Sequence, residues 1–191
     1  MRTVQDIYDA YRIMPALQLH QLRVAACAQQ ICDSLTADVA GETVVTACLF
    51  HDMANIIKSD LETFPDFLEP EGKAHWQIVK EEFIAKYGSD EHHAAIQICR
   101  EVGIPEASIT IIDHIGFSQM RETARLPLEI QIGEYCDLRV GPHGVISMQA
   151  RMDEATARYR GRYSDIPRAQ EEYEVLVAAA YQIEQQIFAE A

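Results

Sequence analysis

The chain of 191 residues contains no apolar run approaching the ~20 residues that a membrane-spanning helix needs, so no membrane partner is expected. It has no Cys-x-x-Cys pair. Its five cysteines, Cys27, Cys32, Cys48, Cys99 and Cys136, are odd in number, and each falls in an apolar helical stretch. That excludes a disulfide frame, argues against a thiolate zinc site and fits small buried hydrophobes in a reducing compartment. Basic residues are scarce: 16 Lys and Arg stand against 30 Asp and Glu, for a net charge of −14. So acidic a surface repels a phosphate backbone, which makes a nucleic-acid polymer a poor partner. A small anion can still bind where a metal and local basic residues reverse the field. The N-terminus is polar and helical in pattern rather than signal-like, so a cytoplasmic protein is expected. There is no convincing period-2 stretch, no repeat, no low-complexity tract and no linker. One domain over residues 1–191 is expected.

What remains is helical spacing. Thr3 can cap a first helix through about Arg12, and Pro15 opens a long one to about Leu35. Ala40-Gly41 breaks it, and a third helix is expected from about Thr43 to Ala54. After a looser segment punctuated by Pro65, Pro70 and Gly72, a fourth runs from Lys73 to Lys86. Ser89 or Asp90 caps a fifth that stops at Gly103. Pro105 opens a sixth ending near Gly116, and Pro127 a seventh through about Val140. Gly141-Pro142-His143-Gly144 reads as a turn, followed by helices over about Ser147 to Arg162 and Pro167 to Ala189. In the last of these Leu176, Ala180, Ile183 and Ile187 make one stripe, which packs on the core or on a second subunit. A homodimer therefore stays open. The fold class is all-α.

Periodicity also places some polar residues inward. His20 precedes Val24, Cys27, Ala28, Ile31 and Leu35 by four, seven, eight, eleven and fifteen residues, on one apolar stripe. His51 shares a face with Val44, Ala47 and Cys48 at the end of an apolar run, with Asp52 beside it. Asp137 follows Ile130, Gly133 and Glu134 by seven, four and three. His20 alone reads as a neutral core histidine, and Asp137 alone as a cap or ion-pair partner. Together, several ionisable groups aimed at one interior need something to pair with, and a divalent metal would do so.

His20, His51-Asp52 and Asp137 match the H…HD…D pattern of the HD-domain metal-dependent phosphohydrolase superfamily. His20-x-x-Arg23-Val24-Ala25 resembles the first family helix. Leu49-Phe50-His51-Asp52-Met53 resembles its hallmark segment, and Cys136-Asp137-Leu138-Arg139 its last-ligand helix. The resemblance covers roughly residues 17–140 and implies a bundle of about eight to ten helices, with a C-terminal helical extension over about 147–189. It implies one or two divalent ions; imidazole and carboxylate suit Fe, Mn, Zn, Co or Ni alike. In a two-metal site Asp52 would bridge. His92, in line with Ala95, Ile96, Cys99 and Gly103, and His114, on the face of Ala107, Thr110 and Ile111, resemble the second-metal histidines. His93 falls on a wet face, and His75 beside Trp76 reads as packing. His143 lies in the later turn.

The implied chemistry is hydrolysis of a small phosphate ester, a nucleotide or related phosphometabolite, by a metal-activated water whose pKa drops from about 15.7 toward ~7. Cations would steady the phosphate: Arg23, three residues after His20, Lys58 just past the HD pair, and Arg139. Relatives place Glu, or Gly-Lys, near Asn55. An amide cannot act as a general base, which leaves Asp60 as a candidate for proton handling and Glu134 as a residue that could orient a ligand or water. Arg151, Arg158, Tyr159 and Arg162 could line an entrance or make surface ion pairs. Two other functions fit the same residues. One is a di-iron oxygenase, which needs both His92 and His114. The other is a non-catalytic nucleotide-binding domain that keeps its metal for stability.

Overall fold

Short local signals end most helices where the sequence predicts. In α1 (Val4–Ala10) the Thr3 hydroxyl accepts the Asp6 N–H at 3.1 Å, and the Asp6 carboxylate accepts the Thr3 N–H at 2.7 Å, a reciprocal cap. Pro15 opens α2 (Pro15–Ser34). Further on are α3 (Gly41–Phe50), α4 (Lys73–Tyr87) and α5 (Glu91–Val102). The Asp90 side chain caps α5 by accepting the His92 and His93 N–H groups, and Gly103 closes it in the left-handed conformation at φ 85°. Then come α6 (Glu106–Ile112), α7 (Met120–Thr123), α8 (Leu128–Arg139), α9 (Met148–Tyr163) and α10 (Pro167–Phe188).

This computed structural model describes residues 2–163 and 167–190, without the side chains of 158–169. The fold is all-α: among the described residues there are ten α-helices, three short 3₁₀ turns and one two-stranded ribbon. That ribbon, β1 (Val140–Gly141) antiparallel to β2 (Gly144–Val145), surrounds the turn read from the sequence. Two-residue strands are too short to show alternation, so no sequence period announced them. Among the described residues no helix is long and apolar enough to cross a membrane.

The centre of the bundle is α3. Its Val44, Ala47 and Cys48 have no solvent exposure, and α2, α6 and α8 pack around it. Its boundary corrects the sequence reading, which carried this helix to Ala54. The helix stops at Phe50, because its last carbonyls are taken by side chains instead of by the next turn's amides. The Cys48 carbonyl accepts from His51 Nδ1 at 2.9 Å, that of Leu49 from the Tyr8 hydroxyl at 2.5 Å, and that of Phe50 from the Cys99 thiol at 3.5 Å. His51 caps the helix with its backbone still in helical geometry, at φ −63° and ψ −32°, and Asp52 follows it in the turn. Removing the buried Tyr8 hydroxyl orphans the Leu49 carbonyl. Tyr8→Phe is expected to destabilise by about 1–3 kcal/mol in urea unfolding; a value below ~0.5 kcal/mol, the scatter of ordinary surface changes, would show that α1 does not hold the end of α3.

The stripe of α10 packs on its own chain. Ala180, Ile183 and Ile187 are fully buried, and Leu176 lies half-buried against the same core, with α7 and α8 as neighbours. A second subunit is not needed to cover it.

Candidate metal centre and adjoining cleft

Three helices bring the four ligand-type residues together. α2 carries His20, the turn after α3 carries His51 and Asp52, and α8 carries Asp137. His20 Nε2 lies 3.0 Å from Asp137 Oδ1 and 3.6 Å from Asp52 Oδ2. His51 Nε2 lies 3.3 Å from Asp137 Oδ1 and 3.7 Å from Asp52 Oδ2. The ligand atoms of His20, His51 and Asp52 all fall within 4.8 Å of one another, the one such group of three among the described residues. Asp137 Oδ1 lies close to both imidazoles.

The donor chemistry fits a divalent cation. His51 is buried, and its Nδ1–H donates to the Cys48 carbonyl, which leaves Nε2 as the bare nitrogen. Nε2 is buried and makes no hydrogen bond; its approach to Asp137 is close but poorly aligned. Two imidazole nitrogens and two carboxylates make a set that suits a first-row divalent metal. Without an ion, the charges pair with each other. Burial opposes charge on His51, but Asp52, Asp137 and the Cys48 carbonyl outweigh it and lift its pKa from 6.5 to about 9. Burial likewise opposes charge on Asp137, and the hydrogen bond from His20 and the nearby His51 imidazole overcome it, holding the carboxyl well below its usual range.

Sequence reasoning passed over Gln21, which has no solvent exposure. Its Oε1 accepts the Asp52 backbone N–H at 3.2 Å and so sets the pitch of the His51-Asp52 turn. The signal was present, since Gln21 stands three, four and seven residues before the buried Val24, Ala25 and Ala28. Its Nε2 is buried without a partner.

A cavity of about 580 Å³ opens beside the centre, with His51, Asp52 and Asp137 in its wall. Asn55 and Lys58 line it, as do Asp90–His92 from the start of α5 and residues 115–119 between α6 and α7. The lining carries four acids, Asp52, Asp90, Glu91 and Asp137, against one ammonium, Lys58. Lys58 Nζ pairs with Glu91 Oε1 at 3.1 Å. Burial works against its charge, but Asp52, Glu91 and Asp137 together raise its pKa.

The structure separates the remaining sequence candidates. Lys58 lines the cavity. Arg23 is half-buried on α2 and is not among the lining residues. Asp60 is exposed and caps a turn, accepting from the Glu62 N–H at 3.0 Å and the Thr63 hydroxyl at 2.8 Å, and it is not among the lining residues. Arg139 is committed to the fold. Its Nε donates to the Ile146 carbonyl at 2.5 Å, and its guanidinium bonds and stacks on Tyr135, so it ties the β1–β2 ribbon to α8; it is not among the cavity's lining residues.

His92 lines the cavity, but its Nε2 is engaged by the Asp113 carboxylate and carbonyl at 3.2 and 3.1 Å. His114 donates through Nδ1 to the Thr110 carbonyl at 2.9 Å and is not a lining residue. Among the described residues no group of three ligands includes either histidine. His93 is exposed, His75 packs edge-on against Trp76, and His143 meets Phe67 at the ribbon turn. Arg151 pairs with Glu154 at 3.1 Å. The side chains of Arg158, Tyr159 and Arg162 lie outside those described.

The family model described as HD domain matches residues 18–137, more than half of the chain, with His20 and Asp137 near its two ends. No curated protein and no solved structure matches.

Proposed function

Because this chain belongs to the HD-domain family, a superfamily of metal-dependent hydrolases, we propose that it hydrolyses a small phosphate ester, a nucleotide or related phosphometabolite. The observation that carries this reading is the convergence of His20, His51, Asp52 and Asp137 on one point in the wall of a cavity large enough for a whole metabolite. Those four residues would hold a divalent ion. When bound, such an ion supplies Lewis acidity toward a phosphoryl oxygen and lets water ionise near neutral pH.

The chain's own residues supply the rest. With four acids facing one ammonium, the bare cavity repels an anion, so a phosphate ester enters only when cationic charge has offset the carboxylates. Lys58 is the lining cation, and its half-exposed side chain can turn from Glu91 to a phosphate oxygen. The Gln21 bond to the Asp52 amide fixes the backbone from which the Asp52 carboxylate projects. The Asn55 amide can orient a water or a substrate oxygen by hydrogen bonding but cannot remove a proton. The di-iron alternative requires both His92 and His114 as ligands; His92 lines the cavity and His114 does not.

Protein purified without chelator and loaded in turn with Mn, Fe, Co, Ni and Zn should release orthophosphate from some member of a panel of nucleoside phosphates and sugar phosphates. Release should stop on chelation and return with metal. A fully loaded protein that is inert across the panel would end the proposal. Tight nucleotide binding without turnover would point to the non-catalytic reading instead.

A further inference from the structure

We propose that residues 115–119 form the wall that reads the leaving group of the phosphate ester, and that Glu134 is the positioning residue that holds this wall in register with the metal centre. The inference rests on the phosphohydrolase reading for the word "leaving group" and on geometry alone for the role of Glu134.

The cavity, about 580 Å³, falls within the range of about 300–1,000 Å³ typical of pockets that bury a whole small molecule, well beyond the needs of a phosphoryl group. The side facing the ligand cluster and Lys58 is charged. The side built by residues 115–119 is different in kind. It offers the Phe117 ring, the exposed Ser118 and the Gln119 amide in sequence. Gln119 Nε2 donates to the Asp113 carbonyl at 3.1 Å, which leaves its Oε1 free to accept. A flat apolar surface beside a hydroxyl and an amide acceptor suits a leaving group with a planar apolar face and polar edges, as a nucleoside has, better than it suits a polyol.

Such a wall has to be held, and its only regular structure is one 3₁₀ turn, Phe117–Gln119. Phe117 is backed by Tyr173 of α10, with ring centroids 5.7 Å apart. The backbone anchor is Glu134: its Oε2 accepts the Gly116 N–H at 2.5 Å. Glu134 has no solvent exposure, and its Oε1 is buried without a partner. A carboxyl in that state is costly, and an apolar side chain would fill the volume at lower cost. The one hydrogen bond this group makes is to the wall. Glu134 also precedes Asp137 by three residues on α8, so one helical turn sets the wall and the metal centre in fixed relation. The neighbouring Gly133 makes the approach possible. A Cβ there would lie 2.8 Å from Ile111 Cγ2 and 3.4 Å from Ile115 Cδ1, so only glycine lets α8 close on the end of α6 and bring the Gly116 amide within reach.

The test uses the full chain, metal-loaded, with amide hydrogen exchange followed by mass spectrometry and kinetics on adenosine 5′-monophosphate and p-nitrophenyl phosphate. In Glu134→Ala, exchange over 114–120 should quicken by about tenfold, as the loss of one ordinary hydrogen bond gives, with metal content unchanged. Glu134→Gln keeps an acceptor oxygen and should restore most of the protection. KM for the nucleotide should rise about tenfold in Glu134→Ala, with a smaller change for p-nitrophenyl phosphate. Should Glu134→Ala fail to fold, the surface pair Ser118→Ala and Gln119→Ala decides the wall's role by the same split between substrates. Unchanged exchange in Glu134→Ala, or loss of metal with it, overturns the positioning role. An equal effect of the Ser118 and Gln119 changes on both substrates overturns the recognition role. A wild-type protein that releases no phosphate sinks the phosphohydrolase reading and the recognition role with it, while the exchange data still decide whether Glu134 holds the wall.

Discussion

Asp52→Asn and His51→Ala are expected to abolish phosphate release, with kcat/KM falling by roughly a thousandfold or more, the upper end of what removing one charge-stabilising group costs. The two changes differ in shape and share a consequence. Asp52→Asn keeps the volume and the Gln21-bonded backbone but removes the negative charge of one of the two carboxylates, and His51→Ala removes the buried bare nitrogen. Elemental analysis should show metal content below that of the wild type in both, and circular dichroism should show helix content preserved, because the apolar packing of α3 against α2, α6 and α8 does not pass through either side chain. Wild-type activity in either variant, with metal retained, would mean that the reaction occurs elsewhere on the chain. Loss of helix in both would make the cluster a structural ion pair network instead.

The second large effect is on stability after metal removal. His51 is raised from 6.5 to about 9 and Glu134 from 4.5 to about 8 in the fold. For Glu134 burial is the main cause, with Asp137 adding to it. Both groups hold a proton in the folded chain at pH values where the unfolded chain has lost it. Their contributions are therefore complete below about 4.5 for Glu134 and 6.5 for His51, and fade as pH rises through about 8 and 9. Asp137 acts in the opposite sense: its depressed pKa contributes above 3.8 and is lost in acid. Chelator-treated protein should accordingly be most stable at mildly acidic pH and lose on the order of 5–10 °C in Tm between pH 5.5 and pH 9. Glu134→Gln should flatten the lower part of that fall. Added metal competes with the His51 proton, so the Tm gain on loading should grow with pH. Scanning calorimetry of the chelator-treated protein at four pH values decides it. A Tm that is flat or rising from pH 5.5 to 9 would show that the folded chain does not hold these two protons above the pH at which the unfolded chain loses them.

Much of this was legible in the chain. Helix positions follow from nearest-neighbour chemistry: the Thr3 cap, Pro15, Gly103 and Pro127 act over a few residues, and the structure obeys them within one or two positions. The inward placement of His20, His51, Asp52 and Asp137 follows from helical period, because a side chain on an apolar stripe must face what the stripe faces. What period cannot supply is a partner. Arg139 and Lys58 look alike as flanking cations, yet one bonds to Ile146 and Tyr135 while the other reaches the cavity. Asp60 and Glu134 look alike as spare acids, yet one caps an exposed turn and the other is sealed inside on the Gly116 amide. Sequence determined which faces turn inward, since burial of apolar area along a helix is a local property of spacing. Tertiary structure decided which polar atoms meet, where α3 ends and which segment walls the cleft. Those outcomes depend on hydrogen bonds between residues such as Tyr8 and Leu49, or His20 and Asp137, whose separation along the chain carries no record of their distance in space.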